Sequence, residues 1–308
     1  MNTINNTYNY EVLKNVNFEN LEVFNLSENH IYNLDILKEV NFKKLKELYL
    51  FRASIYEIII LEKVKFDNLE ILHLDRNHIS NIDILAKVNF PKLKELDLCE
   101  NNISDINALE SAKFENLEKI DFINNKISDI DVLGKVNFKK LKILLLTCNN
   151  ISDINVLERV PFENLEILFL GLNNISDMSV LKKVKFKKLK ELNITADNIS
   201  LLNIINFKNL ELLFLGMFKN FDINILEKVN FIKLKALHLI CNNISDITPL
   251  QRVKFENLEI LSLNKNFISD INILEKVNFP KLKTLDFSFN NISDINVLER
   301  VQLKTLKY

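Results

Sequence analysis

Phenylalanine returns along this chain at a fixed interval. Phe18, Phe42, Phe66, Phe90, Phe114, Phe138, Phe162 and Phe186 are each 24 residues apart. Phe207 follows after 21, Phe231, Phe255 and Phe279 resume the spacing, and Leu303 stands where the next is due. Other apolar positions keep step. In Asn89 to Ala112, NFPKLKELDLCENNISDINALESA, they are Phe90, Leu93, Leu96, Leu98, Ile103, Ile106 and Leu109, with Asn101 among them. The general unit is F-x-x-L-x-x-L-x-L-x-x-N-x-I-x-x-I-x-x-L-x-x-V-x. Its L-x-L alternation predicts a short strand. The later I-x-x-I-x-x-L-x-x-V spacing predicts a helical or 3₁₀ segment with one buried face.

Twelve such turns predict a solenoid. The usual division of a 308-residue chain into two globular domains then does not apply, because each turn needs only its neighbours. Residues 1–17 read as an N-terminal half repeat, 18–302 as twelve repeats, and 303–308 as the truncated start of another. That last feature predicts an uncapped apolar end open to end-to-end self-association. Asn, Asp, Ser or Thr stands two residues before the Leu of most helical segments, and Asn107/Glu110, Asn155/Glu158 and Asn272/Glu275 have capping-box spacing. An Asn column from Asn29 to Asn290 has the donor and acceptor needed to bridge turns. Ala53, Asp197 and Phe218 break it, which predicts irregular turns there and a local defect over 193–221.

At these residues the chain resembles a known family. L-x-x-L-x-L-x-x-N-x-I resembles the leucine-rich repeat signature over essentially the whole chain. The added I-x-x-I-x-x-L is similar to the subfamily containing the regulatory subunit of protein phosphatase-1 and the bacterial internalins. The resemblance implies an α/β solenoid: a curved right-handed superhelix with a parallel β-sheet on its concave face and short helical or 3₁₀ segments on its convex face. It also implies a non-enzymatic scaffold that binds another protein through the concave face. A phosphatase-regulatory subunit and an internalin-like host-interacting effector are the narrower alternatives.

Charge adds a second period. The residue after the first Leu of each turn alternates Glu22, Lys46, Glu70, Lys94 and so on to Lys283, and two positions earlier Asn and Lys alternate from Asn20 to Lys281. A continuous Glu–Lys ladder is expected, one that penalises slippage by a turn. Duplication of a two-turn unit explains the pattern equally well.

Composition excludes several functions. Forty basic against 41 acidic residues argue against a nucleic-acid partner. Three glycines are too few for a nucleotide-binding enzyme, and no G-x-x-x-x-G-K-[ST] loop is present. The N-terminus lacks a secretory pattern and no apolar run approaches membrane-spanning length, so no membrane partner is expected. Cys99, Cys148 and Cys241 form no CxxC pair, which fits a reduced, cytoplasmic protein. The N-x-S sequons follow from the NNIS repeat.

The strand positions flanking the L-x-L leucines should form the outward, concave face. In its middle they turn apolar: Leu145, Ile167, Phe169, Leu172, Leu212, Phe214 and Met217, with Glu95, Asp97, Glu100 and Asp121 alongside. These eleven are the candidate partner-binding residues, suited to an apolar segment with a basic flank. No cofactor, metal or catalytic residue is expected. No acid and nucleophile are evident beside His30, His73, His78 or His238. The acid column Asp105, Asp129, Asp153, Asp177, Asp222, Asp246, Asp270 and Asp294 suits turn residues that bind their own backbone, with stacked calcium ligands as the alternative.

Overall fold

The computed structural model describes residues 18–31, 34–195, 207–218 and 221–301. The half repeat at 1–17, Asp197, and the 303–308 end with its proposed self-association lie outside them. Twelve strands line up in chain order in one parallel sheet. They are β1 Val23–Asn25, β2 Glu47–Tyr49, β3 Ile71–His73, β4 Glu95–Asp97, β5 Lys119–Asp121 and β6 Ile143–Leu145. Then come β7 Ile167–Phe169, β8 Glu191–Ile194, β9 Leu212–Leu215, β10 Ala236–His238, β11 Ile260–Ser262 and β12 Thr284–Asp286. Each L-x-L motif supplies a strand because its leucines face inward on alternate positions while short polar loops leave it at both ends. Pairing at one repeat per strand then stacks like on like, so Leu48 pairs with Leu72 and Leu72 with Leu96.

On the opposite, convex side, among the described residues, short 3₁₀ segments such as Asn107–Glu110 or Asn155–Glu158 close the turns, and the first turn has a single α-turn, Ile36–Glu39. Between the layers lies one continuous core. The Phe column from Phe42 to Phe279 is buried, with rings of neighbouring turns 5.8 Å apart at Phe42–Phe66 and Phe66–Phe90. The chain therefore folds as the α/β solenoid that its periodicity and resemblance imply, a curved open sheet backed by 3₁₀ segments.

The buried Asn column joins the turns. Asn125 accepts from the Ile103 amide at 2.9 Å and donates to the carbonyls of Leu98 (2.9 Å), Phe122 (3.1 Å) and Ile123 (3.3 Å). Where the column is broken, the next turn takes over. Asn77 accepts from both the Ala53 and Ile55 amides, and Asn242 accepts from Phe218. Ala53 and Phe218 are themselves buried. Nor does the 21-residue turn interrupt the sheet: β8 and β9 pair over four residues, Glu191↔Leu212 to Ile194↔Leu215. Thr195 assists there, its hydroxyl donating to the Gly216 carbonyl at 2.9 Å and accepting from the Leu172 amide at 3.2 Å.

Two expectations need correcting. The capping residue is the Asp two positions earlier, not the one before the Leu. Asp105 accepts from the Asn107 amide at 2.7 Å, Asp153 from Asn155 at 2.7 Å and Asp246 from Thr248 at 2.8 Å. A 3₁₀ turn starting at Asn107 leaves that amide without a helical partner, and only a side chain upstream can reach it. The acid column is thus occupied in local turns. Second, the Glu–Lys column is no continuous ladder. Lys46 bonds Glu22 at 2.8 Å, Lys94 bonds Glu70 at 2.6 Å and Lys142 bonds Glu118 at 2.7 Å, each reaching back one turn. Each lysine arm leans toward the Glu of the preceding turn and not toward that of the next.

Candidate partner-binding face

Outward side chains of the strands form parallel columns. One column runs Tyr49, His73, Asp97, Asp121, Leu145, Phe169, Asn193, Phe214 and His238, each a register partner of the next. Beside it runs Glu47, Ile71, Glu95, Lys119, Ile143, Ile167, Glu191, Leu212 and Ala236. The face therefore divides into a polar zone on β2–β5 and an apolar zone on β6–β10.

The apolar candidates do share this face, but most are half-buried: Leu145, Ile167, Phe169, Leu212 and Phe214. Strands about 4.8 Å apart let side chains of one column cover each other. Leu172 and Met217 stand further out, 42% and 54% exposed. Both occupy the loop position after the strand, where the backbone is left-handed with φ 55 and 61. The strip is not uniform, because β8 sets Asn193 between Phe169 and Phe214 and Glu191 between Ile167 and Leu212. Asn193 leans over Gly171, where an added Cβ would stand 2.2 Å from its Oδ1, and the Phe214 ring covers Gly216 in the same way. Phe214 also stacks on His238 at 5.6 Å, so His238 extends the apolar zone by one strand. Burial pushes the His238 imidazole below its usual range, despite Asp286.

Of the acidic candidates, Glu95 and Asp97 are half-buried and Glu100 is exposed. Asp121 is only 7% exposed and belongs to the buried edge of the zone rather than its open surface. Its Oδ1 accepts from the Ile123 amide at 2.8 Å, which pins the carboxylate at the end of β5. Asp97 holds the Cys99 amide in the same way at 3.0 Å. His73 Nε2 meets Glu95 Oε1 at 3.1 Å, and Lys119 reaches the same oxygen at 2.7 Å. These bonds, that from His73 first, hold the Glu95 carboxyl down at about 2 against the opposing effect of burial. Burial opposes charge on His73, but the bond to Glu95 and the fields of Asp97, Glu95 and Asp75 outweigh it and raise its pKa.

Glu100 pairs with Arg76 at 3.2 Å, whereas at Asp121 and Asp75 burial outweighs the nearby cations. Burial, with Asp97 and Asp75 nearby, lifts Asp121 to about 6, and burial with Asp97 lifts Asp75. Burial and the carboxylates of Asp121, Asp97, Glu100 and Asp75 push the Cys99 thiol up to about 12. The convergence of charged groups on His73 escaped sequence reasoning. His73 and Glu95 are 22 residues apart, a diagonal contact that reading columns at 24 does not reveal.

Residues 67–127 match the family described as Leucine rich repeat, and residues 256–300 match Leucine Rich repeats (2 copies). The turns within these two stretches are leucine-rich repeats. Among solved structures, an internalin from Listeria monocytogenes shares this repeat fold at a TM-score of 0.65 and 23% identity, over 97% of this chain and 88% of that one. A leucine-rich repeat protein of Leptospira interrogans matches at 0.64 and 21% identity, over 89% and 74%. The ectodomain of the Arabidopsis thaliana receptor kinase GASSHO1/SCHENGEN3, in complex with Casparian strip integrity factor 2, matches at 0.54 and 20% identity, over 88% and 33%. No curated protein matches the sequence. Among the described residues no helix is long and apolar enough to cross a membrane.

Proposed function

We propose that this chain is a non-enzymatic leucine-rich repeat scaffold that binds another protein through its concave face. The observation that carries the reading is the apolar strip itself. Leu145, Ile167, Phe169, Leu172, Leu212, Phe214 and Met217 occupy outward positions on or just after three strands of one sheet, where solvent favours polar side chains. Beside the strip lie Glu95, Asp97, Glu100 and Asp121. The partner of matching chemistry is an extended apolar segment followed by Lys or Arg, its apolar side chains on β6–β9 and its basic flank toward β4 and β5. A receptor ectodomain of this fold is found in complex with Casparian strip integrity factor 2, an instance of a partner held by such a solenoid.

The two narrower alternatives, a phosphatase-regulatory subunit and an internalin-like host-interacting effector, rest on repeat resemblance. Cytoplasmic placement rests on the free thiols of Cys99, Cys148 and Cys241, which suit a reducing compartment.

A random peptide library panned on the protein, with the Leu145→Glu/Phe169→Glu variant as counter-target, tests the reading. Enriched peptides should combine an apolar core with a basic flank and lose binding to the variant, whose melting temperature should stay close to the parent's. Equal enrichment on parent and variant removes the concave strip as the binding surface.

A further inference from the structure

We infer that the polar end of the concave face is a binding site for one divalent transition-metal ion of the Zn2+ type, with His73, Asp75 and Asp97 as ligands. The donors converge by construction. His73 and Asp97 are register partners on β3 and β4, and Asp75 follows His73 by two residues on the same side of the chain. One ligand atom from each of the three lies within 4.8 Å of the others. A second group, Asp97, Cys99 and Asp121, satisfies the same limit and shares Asp97. The set is more than a cluster of acids, since it contains an imidazole with a carboxylate behind it.

His73 Nε2 bonds Glu95 at 3.1 Å, which leaves Nδ1 as the nitrogen free to ligate. A carboxylate on the far nitrogen is the usual way a metal-binding histidine is oriented and made more basic. Glu95 is itself fixed by Lys119 at 2.7 Å. Asp97 uses Oδ1 on the Cys99 amide, so the residue is anchored while its other oxygen can ligate. Nitrogen with carboxylate oxygen suits Zn2+ or Co2+ rather than Mg2+ or Ca2+, which take oxygen ligands. Three protein donors leave a fourth position for water.

The inference is independent of the partner reading, because it is read on the protein alone. Chelator-treated protein is titrated with ZnCl2, and separately with MgCl2, by calorimetry. Saturable one-to-one Zn2+ binding at least tenfold tighter than Mg2+ is the expected result. Asp97→Asn keeps an oxygen for the Cys99 amide and so preserves the fold, and it should weaken Zn2+ at least tenfold, as should His73→Ala. Glu95→Gln, a positioning change, should weaken it by about 10- to 100-fold. Co2+ in place of Zn2+ should give visible absorption that His73→Ala removes. Absence of saturable heat, equal affinity for Mg2+, or Zn2+ affinity unchanged in both Asp97→Asn and His73→Ala overturns the site.

Discussion

Asn125→Ala is the sharpest test of how the turns are joined. The side chain sits in the core, 8% exposed, and makes four bonds that no neighbouring side chain duplicates in full. Alanine removes the acceptor for the Ile103 amide, which lies one turn back in a buried segment. It also removes one of two donors to the Leu98 carbonyl, leaving Asn101 at 3.1 Å. The Phe122 and Ile123 carbonyls each lose one bond as well, but keep the Asn149 amide at 2.9 Å and the Glu100 backbone amide at 2.7 Å. A buried polar group left unpaired costs about 1–3 kcal/mol. With one orphaned amide and three carbonyls that each keep another partner, about 1–3 kcal/mol is expected by the same accounting. In a solenoid the loss is local, since only the interface between two turns is touched. Urea denaturation should therefore show the lower midpoint, and hydrogen exchange should place the lost protection at Ile103 and its neighbours. Asn290→Ala is the control. That residue is half-buried near the last described turn, so its cost should be less than half as large. A cost below about 0.5 kcal/mol for Asn125→Ala, within the range of an ordinary surface substitution, would refute the bridging account. So would exchange protection lost evenly along the chain.

Three further outcomes follow from particular positions. Leu172→Gly relieves a left-handed backbone at φ 55, a conformation costing a non-glycine residue roughly 1–2 kcal/mol. Part of that returns as unfolded-chain entropy, so the midpoint should rise slightly while peptide capture weakens; a fall in the midpoint would contradict it. Gly171→Ala sets a Cβ against Asn193 Oδ1 and Cγ at 2.2 and 2.9 Å, so Asn193 must move. The expected loss is about 1–3 kcal/mol by urea denaturation, and a neutral effect would mean that the side chain swings away freely. For pH the sign is fixed by Glu22, Glu211 and Glu259, whose bonds to Lys46, Lys235 and Lys283 hold their carboxyls below the usual 4.5. Such groups stabilise the fold fully above the unfolded value and lose that contribution as pH falls through the lower native values. Acid titration of the melting temperature should show the loss, and added salt should shrink it; an increase on acidification contradicts the assignment.

The architecture could be read from the sequence because it depends on columns, and columns are spaced one repeat apart. Phe90 under Phe66 and Leu96 beside Leu72 need only the count of 24, and the buried Asn column follows from the same count with one chemical argument. What escaped reading depends on direction rather than spacing. Whether Asp105 or Asn107 caps the 3₁₀ turn depends on which amide that turn leaves open. Whether Lys94 reaches Glu70 or Glu118 depends on which way the side chain leans. The candidate face was legible as a set of outward positions, but its degree of exposure was not. Phe169 and Phe214 lose surface to column neighbours, which pattern alone does not measure.

The doubled period gains a physical reason from those directions. Lys44 and Lys46 reach back to Asn20 and Glu22, Lys92 and Lys94 to Asn68 and Glu70, and so on to Lys281 and Lys283 with Asn257 and Glu259. Along these two columns the intervening junctions are made otherwise. Asn68 donates to the Lys43 carbonyl at 2.8 Å, Asn116 to Pro91 at 2.6 Å, Asn164 to Lys139 at 2.8 Å and Asn257 to Ile232 at 2.7 Å. Each of these Asn side chains faces both ways, its oxygen toward the lysine ahead and its amide toward the backbone behind. A lysine in that place could not accept, and a second Asn ahead could not span the gap that the long lysine arm crosses. Two adjoining turns are thus joined by charge and the next two by a neutral amide. Each charged junction on the surface is worth only about 0.2–1 kcal/mol. Their placement at every second junction nevertheless makes a register slip of one turn set Glu against Glu, or Lys against Lys, at the slipped junction. High salt should weaken the charged junctions alone. Hydrogen exchange at 1 M salt against low salt would then show faster opening between the turns of Glu211 and Lys235, joined also by Glu227 and Arg252, than between those of Lys235 and Glu259; an even response would leave duplication as the only account of the pattern.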